Sequence, residues 1–487
     1  MAFDKTPDKS TYQTKKIKLV KELNSRGTDT SKDETFVNVI PELIKNKNTK
    51  EDELYLIKRP GSASFIATVA VENTRGLHFW EAQNRLFVAV NNDVRIYNAS
   101  TAALVATHSN CFSTTSGEVG FCEFLYDDGS VKIVITDGTT MMTSDSSNTL
   151  VTGADADMPV HLPYPVFLDG YLFIIKAGTA DLYNSNLNDP LAYTAGDFLT
   201  SEMLPDTVNY LSRLNNYLVV FGNQSIEYFW NAAIATGSPM QRNDTPIKLT
   251  GLLGGMARLG NKLFVVGSQD DSAPDVYIME DFKMTPIGTE AIKRHLTSLT
   301  ISGVTAIRGA MFSEHGHDMY LLNTGTLTYC YDVESKLWTE FRWQTSSVFN
   351  FIHLVNAETA AGYKTFFSLS GDSVVYNFSR TLYQDAGTTF PVIVVTDQHE
   401  FDTYHQKTMG LLVVWADKPS ATSTGSLQWT DDDYQSYNTA VSVDLYHERP
   451  SVTRLGRFRR RAFKWTYTQN QPHRLKAFEV EINMGAN

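Results

Sequence analysis

The sequence predicts an all-β chain: a six- or seven-bladed β-propeller over residues 61–385, a C-terminal β-sandwich over 386–487, and an irregular N-terminal arm over 1–60. Three observations lead there. One hairpin pattern recurs seven times, the pattern stops after Tyr383, and the first sixty residues carry only isolated apolar patches.

The hairpin is a short apolar or aromatic run, a Gly/Asn/Asp turn and a second run holding Tyr or Ile. Its copies are NRLFVAVNNDVRIYN, DGSVKIVITDGTTMM, DGYLFIIKAGTADLYN, NNYLVVFGNQSIEYFW, GNKLFVVGSQDDSAPDVYIM, HDMYLLNTGTLTYCYD and YKTFFSLSGDSVVYNF. First strands begin near Leu86, Val131, Tyr171, Tyr217, Leu263, Met319 and Phe366, so copies lie 40 to 56 residues apart. That is near the period of a four-stranded blade. A lone hairpin cannot bury both faces of such strands, whereas radial stacking gives each sheet two neighbours. A β-sandwich with long meanders is the alternative.

Beyond Tyr383, six strand-like runs from TTFPVIVVTDQHEFD to KAFEVEINM lack the blade period, which predicts a separate sandwich. The polar first sixty residues suggest an arm that gains order by packing on something else, or a solvated leader. One short helix is expected at TEAIKRHL, with Thr289 as cap and Glu290 in its first turn.

Hydrophobic residues make up 42% and charged residues 20% of the 487, so a globular core is affordable in length and composition. No apolar run approaches the roughly 20 residues that span a bilayer, so no stable membrane insertion is expected. Without a secretory h-region, and with only Cys111, Cys122 and Cys330, synthesis in a cytoplasm is expected. The formal charge of −12 is uneven: net +3 over 1–60, −21 over 61–449 and +6 over 450–487. Such an acidic body is unsuited to gripping a phosphate backbone.

Catalytic motifs do not emerge. There is no GxxxxGK[ST], GxGxxG after a strand, HExxH or GxSxG, and no catalytic, cofactor or metal residue is assigned. His315, His317 and Asp318 share one hairpin without a third ligand at fixed spacing, which favours an exposed strand start over a metal site. Asp431, Asp432 and Asp433 lack a calcium loop. Tyr434 also stands where a sialidase Asp-box has its turn Gly, so a structural turn is expected. The run Ile226 to Trp230 could stack a sugar or base, but its alternation favours core packing. A carbohydrate-binding or carbohydrate-active propeller is the alternative function; it would call for repeated Asp boxes. An intracellular scaffold would call for blades ending in Trp-Asp.

Specific residues carry the reading further. Residues 197–230 hold Glu202, Pro205 and Asp206, then Phe221-Gly222 and Ile226-Glu227-Tyr228. This stretch resembles the central signature of the packaged-DNA stabilisation proteins of short-tailed bacteriophages, the podoviral tail hub or nozzle proteins. VNVIPE with Pro41 and Glu42, YLIKRPG with Arg59, Pro60 and Gly61, PDVYIM with TPIGTEAIKRHL, and RLGRFRRRAFKWTYT resemble the family in the same order. The resemblance implies a non-enzymatic virion protein of the tail, made in the host bacterial cytoplasm. It implies a homo-oligomeric six-fold ring below the portal and adaptor that extends the DNA channel and helps retain packaged DNA. It further implies docking of tailspikes or fibres, a possible plug or needle, and double-stranded DNA passing without sequence-specific binding. An acidic lumen would keep that DNA sliding, since each cation held on phosphate adds affinity.

The basic run carries Arg454, Arg457, Arg459, Arg460, Arg461 and Lys464. Extended, it would align Arg457, Arg459 and Arg461 with Phe463, Trp465 and Tyr467, and Arg460 and Lys464 with Phe458 and Ala462. The expectation is an interface in which guanidinium groups meet carboxylates of a neighbouring subunit or adaptor. A solvated edge strand is the alternative.

Overall fold

The computed structural model describes residues 12–20, 34–45, 52–67, 74–269, 272–300, 306–314 and 316–484. Their propeller has seven blades. Blades 1 to 6 each consist of four consecutive antiparallel strands, from Thr74–Trp80, the first strand of blade 1, to Trp338–Glu340, the last of blade 6. Blade 7 takes three strands, Phe351–Thr359, Gly362–Leu369 and Val374–Ser379, and borrows its outermost from far upstream, Gly61–Ala67. Pairing of Gly61 with Ser379 thus closes the ring.

The seven hairpins read from sequence are the second and third strands of the seven blades, such as Tyr217–Gly222 with Ile226–Asn231 in blade 4. Their side chains alternate between two neighbours. Leu218 and Val220 pack towards blade 3 with Phe173 and Ile175, while Val219 and Phe221 pack towards blade 5 with Leu263 and Val265. Burial on both faces explains why these strands read as continuous apolar runs. The helix forms at Glu290–Ser298, where the Thr289 hydroxyl accepts from the Ile292 N–H.

The segment expected as an arm is largely sandwich. Gln13–Ile17, Val39–Lys45 and Asp52–Lys58 join Lys407–Ala416, Ser451–Phe458 and Arg474–Met484 in one sheet. Thr35–Val37 joins Val392–Val395, Thr424–Thr430, Val441–Asp444 and Ala462–Tyr467 in the other. Both chain ends feed one core, with Ile17, Phe36 and Leu56 against Trp465 and Phe478. Residues 1–11 and 21–33 lie outside the described residues. Val37 also pairs in parallel with Glu340, so the second sandwich sheet continues blade 6. The sandwich therefore sits on the outer edge of blades 6 and 7.

Candidate assembly surface and the joint behind it

The chain moves from one sandwich sheet to the other at a single residue, Asn38, whose φ of 56° lies in the left-handed region that Asn tolerates. Its side chain becomes a hub: Oδ1 accepts from Arg59 Nε at 2.9 Å and the Arg342 N–H at 2.8 Å, and Nδ2 donates to the Pro391 carbonyl at 2.8 Å. Arg59 is fully buried beside it. Its remaining donors reach Asp385 Oδ1 at 3.0 Å and Oδ2 at 2.6 Å, and the carbonyls of Pro60 at 3.0 Å and Arg342 at 2.8 Å. All five guanidinium donors are matched. Asp385 in turn accepts from Ser62 and the Gln344 N–H. Propeller and sandwich are thus joined by a dry, saturated ion pair. Gly61 is needed next to it, because a Cβ there would stand 2.2 Å from the Gln384 carbonyl oxygen.

Lys58 and His473 line the sandwich side of this joint. Lys58 is buried, donates to the Gln469 carbonyl at 2.8 Å and lies over Phe390. Burial and then the neighbouring Arg59 charge push it down to about 7, against a partial pull from Asp385. His473 accepts from Trp465 Nε1 at 3.0 Å and stacks on Tyr467; burial, with Lys58 adding, pushes it down to about 3. Glu42 accepts from Arg474 at 2.6 Å across the intervening strand Asp52–Lys58, and Pro41 lies in the edge strand Val39–Lys45.

The signature around 197–230 is a clamp within the propeller. The connection from blade 3 to blade 4 is held by two carboxylates. Asp206 accepts from the Gln224 N–H at 2.7 Å and the Ser225 N–H at 3.1 Å, and a Cβ on Gly222 would meet it at 2.3 Å. Glu227, fully buried, accepts from the Ser201 hydroxyl and the Met203 N–H. Phe221, Ile226 and Tyr228 are core, whereas Glu202 and Pro205 are exposed on the connection. Trp230, at the end of the aromatic run, is half-exposed.

The basic run is not one strand, which corrects the expected facing of its side chains. Ser451–Phe458 is an edge of the first sandwich sheet, Arg459 and Arg460 form a bend, and Ala462–Tyr467 lies inside the second sheet. Arg461 is 1% exposed and structural. It makes two 2.7 Å bonds to the Asp431 carboxylate, donates to the Leu455 carbonyl at 2.9 Å and lies over Phe458 and Trp429. Arg460 pairs with Asp433. Two members of the acidic triplet therefore pair with two of the basic one within one chain, while Asp432 is held low, to about 2, first by Ser436 and then by Thr430. Arg459 donates to the Tyr404 carbonyl but is exposed, and Lys464 lies over Tyr437. Only Arg454 and Arg457 in this run are exposed and without a partner among the described residues.

The seven innermost blade strands run in one direction, so their first residues line one mouth of a central channel and their last the other. At the upper mouth Glu118 accepts from Tyr164 and pairs with Arg308 at 3.2 Å. Burial there pushes His353 down to about 4. The cavity is about 820 Å³, the size of a small-molecule pocket. Spread along inner strands of six or seven residues, roughly 20 Å, that volume leaves a passage narrower than a duplex. Its acidic and basic side chains are Glu118, Glu123, Arg213, Arg258, Arg308 and His353, so the acidic excess of residues 61–449 is not concentrated in it. His317 hydrogen-bonds Asp332 at 3.1 Å, which raises its pKa, and His315 lies outside the described residues. No cluster of three metal-ligating side chains occurs among the described residues, and none of their helices is long and apolar enough to cross a membrane.

Sequence reasoning missed Asn38 and Asp385, the two acceptors that complete Arg59. They stand 21 and 326 residues from it and carry no local signal.

No curated protein matches the chain. Among solved structures, a streptogramin B lyase shares 10% identity at a TM-score of 0.45, over 66% of this chain and 98% of that one. Selenomethionine-substituted virginiamycin B lyase from Staphylococcus aureus gives 10% and 0.44 over 64% and 97%. The N-terminal domain of Nup159 gives 11% and 0.40 over 71% and 100%. The family described as Phage_stabilise, bacteriophage P22 Gp10, beta-propeller, matches residues 21–359. That span takes in the sandwich strands from Thr35–Val37 to Asp52–Lys58 and the propeller as far as the first strand of blade 7, it holds both the Arg59 segment and the blade 4 clamp, and the chain belongs to this family of phage DNA-stabilising structural proteins.

Proposed function

We propose that this protein is a tail hub or nozzle subunit: copies assemble as a six-fold ring below portal and adaptor, extend the DNA channel, help retain the packaged genome and carry tailspikes or fibres. The observation that carries this reading is a bulged, arginine-bearing sandwich edge held rigidly on the rim of a closed propeller whose own axis is too narrow for DNA. The channel for DNA then lies between subunits, bounded by outer surfaces that hold the acidic excess. Arg454, at φ 61°, and Gly456, at φ 82°, bulge the edge strand. Such a bulge discourages strand addition and leaves contacts to side chains. Arg454, Arg457 and Arg459 are the residues assigned to meet carboxylates of the next subunit or the adaptor. Arg461 is withdrawn from that role by its burial.

Mixing the full chain with its portal–adaptor complex and counting copies by native mass spectrometry and electron microscopy tests this. Six copies in a ring at the adaptor are expected. A chain that stays unbound in the presence of the complex overturns the proposal.

A further inference from the structure

Blades 4 and 5 carry near-copies of one segment, Arg213-Leu214-Asn215-Asn216-Tyr217 and Arg258-Leu259-Gly260-Asn261-Lys262. Each is the end of an innermost strand with the turn that follows it. In both, the arginine Nε donates back to the carbonyl two residues on, Asn215 at 2.9 Å and Gly260 at 3.1 Å. That bond aims the guanidinium plane while leaving both Nη groups, with four donors per residue, without an acceptor among the described residues. Both arginines line the central channel, towards its lower mouth. They are close enough to repel: after burial, Arg213 is the cause holding Arg258 below the ordinary arginine range. The acid lining this end, Glu123, faces His78 at 3.6 Å.

Blade architecture does not require these arginines. Blade 3 has Phe167 at the same register, opposite Leu172 as Arg213 is opposite Leu218 and Arg258 opposite Leu263. Two adjacent, pre-aimed forks of uncompensated charge in a concave mouth match the geometry of a bound oxyanion. We propose that Arg213 and Arg258 form an oxyanion clamp at the lower mouth of the propeller channel, taking a phosphate group or a carboxylate. The clamp is independent of ring assembly.

Calorimetric titration of the full chain with inorganic phosphate, and separately with succinate, at constant ionic strength tests it. Saturable binding of one anion per chain is expected. Arg213→Gln or Arg258→Gln should weaken it by about tenfold or more, the double variant should abolish it, and Arg454→Ser should leave it unchanged. Preference for phosphate or for succinate tells a phosphate source from a carboxylate source. In the unmutated chain, bound anion should also protect Arg213 and Arg258, but not Arg454, from phenylglyoxal modification read by mass spectrometry. Absence of saturable binding for both anions, binding that survives in the double variant, or absence of protection would overturn the clamp.

Discussion

Arg59 and Arg457 both sit in short basic stretches next to apolar residues, yet the fold treats them oppositely. At the joint, segments far apart in the chain bring Asn38, Asp385 and the Arg342 carbonyl around Arg59 beside its own Pro60 carbonyl, and every donor is matched. At the sandwich edge, Arg454 and Arg457 meet no partner among the described residues. The difference lies in acceptors supplied by distant segments, not in local composition. A matched, buried guanidinium is structure; an unmatched, exposed one is available to a partner.

The comparison is broken most severely at the joint. Asp385→Asn leaves a buried cation with half its ion pair, and breaking such a pair costs about 3–5 kcal/mol. Denaturant unfolding of the variant should show that loss, with the sandwich melting apart from the propeller. A cost under about 1 kcal/mol would mean that the joint does not hold the two domains together. Within the basic run, Arg461→Ser should cost about 2 kcal/mol, less than the joint because Asp431 is partly solvated and only the charged hydrogen bonds and stacking are lost.

Acidity sharpens the contrast further. Lys58 is at about 7 in the folded chain against 10.5 when exposed, so between these pH values the unfolded chain holds more protons. Stability contributed by this site therefore rises with pH from about 7 towards 10.5, with a slope up to about 1.4 kcal/mol per pH unit. His473, at about 3 against 6.5, adds a loss of stability as pH falls from 6.5 towards 3. Melting curves of Lys58→Met should lack the alkaline rise. An unchanged slope would place the titrating group elsewhere.

The same logic accounts for what the sequence revealed. The seven hairpins were legible because Leu218, Val219, Val220 and Phe221 are all buried, each facing one of two neighbouring blades. Inner strands facing the channel and mixed outer strands lack that signature, and the closing strand Gly61–Ala67 pairs with residues some three hundred positions away. The N-terminal strands lack a local signal for the same reason: Ile17 and Phe36 find their core only against Trp465 and Phe478. The Asp431–Asp433 and Arg459–Arg461 triplets were both visible, but nothing local pairs a turn with a bend thirty residues on. The blade 4 clamp was reached through the family resemblance of Glu227, Gly222 and Asp206, and the structure supplies the hydrogen bonds behind those residues.

The smallest effect on the isolated chain is the most informative for assembly. Arg454→Ser with Arg457→Ser removes two exposed side chains with no partner among the described residues, and surface substitutions of this kind change stability by less than about 0.5 kcal/mol. Their melting curve should overlay that of the parent. If these arginines meet carboxylates of a neighbour, the same double variant should load fewer copies onto the portal–adaptor complex, and the deficit should vanish when those carboxylates are neutralised and reverse when they are replaced by Lys. Because Arg461 and the joint remain intact, loss of loading without loss of stability would belong to the surface alone. Equal loading by parent and variant would return Arg454 and Arg457 to the role of solvated edge residues.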